Sequence, residues 1–181
     1  MPLETARLLK QPIHKSDLTV GTLFRIPVGD GQFYTGQIVG FNGPSPYVVI
    51  YKKDIKQSDA IPTAAFDRSE ACLATETMNV RLLEGEWEIL GTAPVKPCDH
   101  LPAYRLGADF SGGVVIEDFH GKLRWASTDA EADQLNLNFR STMSDTAVQR
   151  AAEALAGHAK WLPGFNKVLP ENIALARDIF G

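Results

Sequence analysis

The chain has 181 residues, 18 Lys and Arg against 22 Asp and Glu for a formal charge of −4, with 44% apolar and 22% charged residues. That composition excludes wholesale disorder, and the acidic balance argues against nucleic acid as the main partner, since phosphate neutralisation shows as a surplus of Lys and Arg. No run of apolar residues is long enough to span a bilayer, and at roughly 100–200 residues per domain the length fits one domain with a small appendage. Cys72 and Cys98 lack CxxC spacing and no signal-like apolar stretch precedes them. The expectation is a cytoplasmic chain with two reduced thiols.

In chain order, Leu23-Phe24-Arg25-Ile26-Pro27-Val28 and Phe33-Tyr34-Thr35-Gly36-Gln37-Ile38-Val39 read as two strands joined by the turn Gly29-Asp30-Gly31, because Asp-Gly tolerates the positive φ of a hairpin. Pro27 belongs at a strand edge or end, having no N–H for a ladder. Tyr47-Val48-Val49-Ile50-Tyr51 reads as a buried central strand. Ile61 to Phe66 takes no clear assignment. Cys72 to Thr75 forms a further strand, Val80 to Leu83 one helical turn ending at Gly85, and Trp87 to Gly91 a strand leading into a crossing loop punctuated by Pro94, Pro97 and Pro102.

A second set of strands covers Tyr104 to Leu106, Gly112 to Asp118 and Gly121 to Ala126, with Ser111-Gly112-Gly113 as a turn. Thr128-Asp129-Ala130-Glu131 is a capping-box sequence opening a helix through about Leu137. The alanine-rich run from Thr146 to about His158 forms a second helix, and Pro170 opens a last one through Phe180. The fold class is α+β, a mostly antiparallel, curved sheet with C-terminal helices. The expected parts are an N-terminal arm over 1–16, the main domain over 17–159 and a helical extension over 160–181.

Read for chemistry, the residues yield no active site. His14, His100, His120 and His158 are scattered without metal-ligand spacing, so neither a metal nor a cofactor is expected. Asp99-His100 and Asp118 with His120 set acids beside imidazoles, the combination a general base needs, and they stand as the enzymatic alternative. Lys52, Lys53 and Lys56 beside Tyr47 and Tyr51 stand as the nucleic-acid alternative, with stacking aromatics next to cations. Two acidic runs remain: Glu84, Glu86 and Glu88, which strand alternation would set on one face, and Asp129, Glu131 and Asp133 at a helix start. Like charges on one face repel unless a basic partner is present.

The order of motifs adds a further reading: Gly21-x-Leu23-Phe24-Arg25-Ile26-Pro27-x-Gly29-Asp30-Gly31-x-Phe33-Tyr34-x-Gly36-Gln37-Ile38-Val39, then Tyr47 to Tyr51, then Gly85-x-Trp87-x-Ile89-Leu90-Gly91-x-x-Pro94. With Leu101 to Arg105, Ile116 to Gly121, Arg124 to Thr128 and Glu131-Ala132, the chain resembles the immunity protein 26 family from about Asp17 to about Gly157. Members of that family are inferred to protect bacteria from the toxin domains of polymorphic, often contact-dependent, toxin systems. The resemblance implies no catalytic set. It implies structural roles for the Gly29-Asp30-Gly31 turn, for Gly36 as a strand position short of side chain, and for Trp87 and Trp125 as core or near-core anchors. It also implies a cognate toxin domain as partner; from the apolar runs and the charge balance, no membrane and no direct nucleic-acid contact are expected. Such toxins are commonly nucleases with basic grooves, which an acidic surface of Glu84, Glu86, Glu88, Asp129, Glu131 and Asp133 would block.

Overall fold

A computed structural model describes residues 13–107 and 113–181. The N-terminal arm up to residue 12 and most of the Ser111-Gly112-Gly113 turn lie outside the described residues. Among the described residues, eight strands and four α-helices run in the order β1 (Thr22–Gly29), β2 (Gln32–Asn42), β3 (Ser45–Tyr51), β4 (Ala71–Glu76), α1 (Val80–Leu83), β5 (Glu88–Thr92), β6 (Ala103–Leu106), β7 (Val114–Asp118), β8 (Arg124–Ser127), α2 (Asp129–Gln134), α3 (Asp145–Leu155) and α4 (Ala176–Phe180). This is the expected α+β chain with antiparallel pairing throughout its strand ladders. The strands divide between two sheets, β4-β3-β2-β1-β5 and β6-β7-β8, because the proline-bearing connection after β5 breaks the ladder.

β1 and β2 form the expected hairpin, with Asp30 at φ 48° and Gly31 at φ 73° supplying the positive dihedrals of its turn. Pro27 lies inside β1 rather than at its end. Pairing of β1 with β5 stops at Arg25, so no strand flanks Pro27 on that side and its missing N–H leaves no gap in a ladder. β3 is interior and buried along its length, so both faces of the larger sheet are apolar. On one face Phe24, Ile26, Ile38, Val48 and Ile50 pack with Trp87 and with Val148, Ala151 and Ala152 of α3. On the other, Val39, Tyr47, Val49 and Tyr51 pack with Leu101, Tyr104 and Phe119. A third cluster joins Ile116 of β7 to Ala132 and Leu137.

Several boundaries differ from expectation for local reasons. Ile61 to Phe66 takes no regular structure. Thr128 accepts from the Glu131 amide at 3.2 Å as a cap should, but the Glu131 carboxylate turns to the Ser127 hydroxyl at 2.5 Å, and α2 ends at Gln134. Ser144 caps α3 by accepting from the Ala147 amide at 3.2 Å. After Trp161, 3-10 turns occupy Pro163–Val168 and Pro170–Asn172, and only Ala176–Phe180 is α-helical. Phe165 and Val168 from this segment are buried in the α3-side core. Neither cysteine is bridged; Cys98 is exposed, while burial pushes the Cys72 thiol up to about 12.

Candidate functional site

Glu84, Glu86 and Glu88 do not share a strand. Glu84 is the C-cap of α1, Glu86 lies in the turn after Gly85 at φ 71°, and only Glu88 enters β5. The one-face alternation inferred from their spacing is therefore corrected: Leu82 and Trp87 are both fully buried, and packing them requires a helical turn between. Glu86 pairs with Arg81, which also donates to Gln149 Oε1 at 3.2 Å. Glu88 lies 3.3 Å from Arg25, whose guanidinium holds Asp54 at 2.8 Å and covers the Phe33 ring at 3.8 Å. Glu84 is exposed and has no ion-pair partner among the described residues.

The second acidic run follows β8 and sits on α2, over the Ile116 cluster. Asp133 pairs with Arg105 of β6 at 2.5 Å, Glu131 is turned to Ser127, and Asp129 is exposed without an ion pair among the described residues. Asp129 and Glu131 stand in the first turn of α2, where negative charge complements free amides. The two acidic runs thus flank separate cores.

Two residues of the enzymatic alternative share a groove, but the four differ in state. Asp118 and His120 reach the rim of a groove of about 280 Å³ floored by Leu101, Phe119, Leu123 and Phe180. Asp118 Oδ1 is already a turn cap there, accepting from the amides of Lys122 at 2.6 Å and Leu123 at 2.9 Å. Asp99 pairs with Arg177. His100 is 1% exposed, and burial, reinforced by the Arg68 charge, lowers its pKa to about 4. It is a neutral core residue at ordinary pH.

This buried imidazole makes stability pH-dependent. An unfolded histidine protonates near 6.5, so as pH falls from there toward 4 the unfolded state gains a proton that the folded state refuses. Stability is expected to fall through that window by on the order of 2–3 kcal/mol and to stop falling on this account below it. Urea unfolding of the wild type and His100→Asn at pH 7.5, 6 and 5 checks this. Equal slopes in the two proteins would show that His100 is not the group responsible.

For the nucleic-acid alternative, Tyr47 and Tyr51 are 1% and 0% exposed inside the second core, with Tyr51 against Phe66 at 4.6 Å. Neither ring is available to stack on a base. Lys53 is paired with Glu70.

Spacing gave no hint of the most concentrated charge in the molecule. Glu76 of β4 and Glu117 of β7 are each 3% exposed, and Arg140, from the connection between α2 and α3, lies between them. Arg140 donates through Nε at 2.9 Å and reaches with Nη2 to 2.8 Å of Glu117 Oε1, and its Nη1 is 3.6 Å from Glu76 Oε2. Its Nη2 also donates to the Phe119 carbonyl at 2.8 Å, and the guanidinium lies 4.3 Å from the Tyr104 ring centroid. Asn42 and Thr142 donate to Glu76 at 3.1 and 2.6 Å. The group ties one sheet to the other. No sequence signal marks it, since its members are scattered along the chain.

Among the described residues, no group of three or more His, Cys, Asp or Glu is placed to hold a metal, and no helix is long and apolar enough to cross a membrane. The family model for immunity protein 26 matches residues 19–109, half of the chain. That span is shorter than the resemblance read from the motifs, which ran on to about Gly157. It contains the whole five-stranded sheet and β6. No curated protein and no solved structure matches the chain. The matched span and the sheet it encloses place the chain in the immunity protein 26 family.

Proposed function

We propose that this immunity protein neutralises its cognate toxin by stoichiometric binding in the cytoplasm, and that the toxin is a nuclease of a polymorphic, contact-dependent system whose basic groove meets an acidic surface. Family membership supports the role in a toxin system and a non-enzymatic mode of action. The observation that carries the acidic-surface reading is Glu84. It is an exposed carboxylate at the C-terminal end of α1, where free carbonyls disfavour negative charge, and no cation among the described residues pairs with it. Its side chain is not engaged by the described residues and is available to a basic partner. Glu86 and Glu88, though paired, extend the same acidic stretch, and Asp129, Glu131 and Asp133 form a second contact on α2. All six belong to the 17–159 unit.

Charge reversal tests this with little risk to folding. Glu84→Lys combined with Asp129→Lys is expected to weaken the complex at least tenfold, about 1.4 kcal/mol, chiefly through slower association. The melting temperature should stay within about 1–2 °C of wild type, since neither side chain has an ion pair among the described residues and the two reversals act oppositely, one unfavourable at the start of α2 and one favourable at the end of α1. The assay is co-expression with the toxin domain encoded immediately upstream, scored by survival and by titration of the purified pair at two salt concentrations. Undiminished binding by the double variant, with no salt dependence, would remove the acidic surface from the interface.

A further inference from the structure

Of the two edges of the five-stranded sheet, one is closed and one is open. On the β4 side, Thr77 bridges to Met143, the Met143 amide donates to the Glu76 carbonyl at 2.9 Å, and the 3-10 segments between 163 and 172 pack alongside. On the β5 side, every backbone ladder bond runs to β1, and no other backbone group among the described residues bonds to residues 88–92. Successive groups along a strand point to alternate sides, so the amides and carbonyls of β5 that face away from β1 have no partner among the described residues. Glu88 to Gly91 are half-buried and Thr92 is exposed, so the rim reaches solvent.

Open edges are normally blunted by Lys, Pro or a cover, because they template pairing with another chain. β5 has neither Lys nor Pro. Its short length and the bulge at Leu90, which faces no residue of β1, limit pairing between copies without closing the rim. The surroundings select the partner's charge: Glu84, Glu86, Glu88 and Asp54 set four carboxylates against the guanidiniums of Arg25 and Arg81. The open edge of the smaller sheet, β8, begins at Arg124 just after Lys122 and lies outside the family-matched span.

We propose that the outer rim of β5 is a strand-docking edge, on which an extended basic segment of the toxin adds a sixth strand to the larger sheet. Main-chain bonds supply the affinity, and the carboxylates around α1 and Arg25 select basic side chains on the incoming strand. The inference rests on the reading that this chain binds its toxin.

Hydrogen exchange read by mass spectrometry, on the free protein and on the complex co-purified with the upstream-encoded toxin domain, tests it directly. Amides in 88–92 are expected to slow at least tenfold in the complex. Thr92→Lys, a change at an exposed side chain, is expected to weaken the complex at least tenfold with an unchanged melting temperature. A one-to-one complex in which 88–92 exchange as in the free protein, or in which Thr92→Lys binds as tightly as wild type, overturns the docking edge and leaves neutralisation by binding intact. Absence of both complex and protection overturns neutralisation by binding, and the docking edge with it.

Discussion

Replacing Arg140 with methionine is expected to destabilise the fold by about 3–5 kcal/mol, the range found when one member of a buried ion pair is removed. The magnitude follows from what remains behind. Glu76 and Glu117 are 3% exposed, and without Arg140 the first would keep only Asn42 and Thr142 as donors. Glu117 would keep only Arg124, at 3.0 Å and itself largely exposed. The carbonyl of Phe119 would lose its guanidinium donor as well, and Tyr104 its stacked cation. Methionine roughly preserves volume, so the loss reports charge rather than a cavity. A domain stable by about 5–15 kcal/mol would lose roughly a fifth of its margin or more. Urea unfolding measures it, and Glu76→Gln with Glu117→Gln in the Arg140→Met background should recover part of the loss by removing the stranded charges. A single-variant loss below about 1 kcal/mol would mean that water solvates these carboxylates and that the sheets are joined by their apolar contacts alone.

Gly36→Ala is expected to cost about 3 kcal/mol or to prevent folding, at the upper end for an overpacked core. Gly36 pairs with Phe24 across the β1–β2 ladder, and a Cβ built there falls on the Cε2 and Cζ atoms of the Phe24 ring. The ring has no room to retreat. It is fully buried and stacks on Trp87 with centroids 5.3 Å apart and planes 4° from parallel, and Trp87 is in turn held by its Nε1 donating to Gln149 at 3.1 Å. The Trp87 fluorescence and near-ultraviolet dichroism should change with the stability. Phe24→Leu in the Gly36→Ala background should restore part of the lost stability, since a shorter side chain vacates the space. An unfolding midpoint equal to wild type would show that the Phe24–Trp87 stack slides freely.

Much of the fold was legible because its signals are local. Asp-Gly in the first hairpin, the β-branched run around Val48, the capping residue Thr128 and the alanine-rich helix each depend on neighbours a few positions away. The small-residue role of Gly36 was legible through the family resemblance, and the structure adds the ring that enforces it. Expectation failed where two local readings competed. Alternating glutamates around Trp87 have the period of a strand, but burial of Leu82 and Trp87 on one side required a helical turn, and tertiary packing prevailed. The groups that looked chemical, His100 and Tyr51 above all, turned out to be buried, which adjacency in sequence does not register.

By itself, the order of residues determined the strands, the main turns, the antiparallel α+β class and the family, because these follow from periodicity, turn chemistry and motif order within short windows. The tertiary structure alone decided which carboxylates are consumed by the fold and which are left for a partner. It set Glu76 and Glu117 around one arginine, tied Glu88 to Arg25 and Asp133 to Arg105, and among the described residues left Glu84 and Asp129 without an ion pair and one rim of the larger sheet uncovered. The physical reason is distance. A charge pair or an uncovered edge depends on segments tens of residues apart meeting in space, and no local pattern encodes which of them will meet.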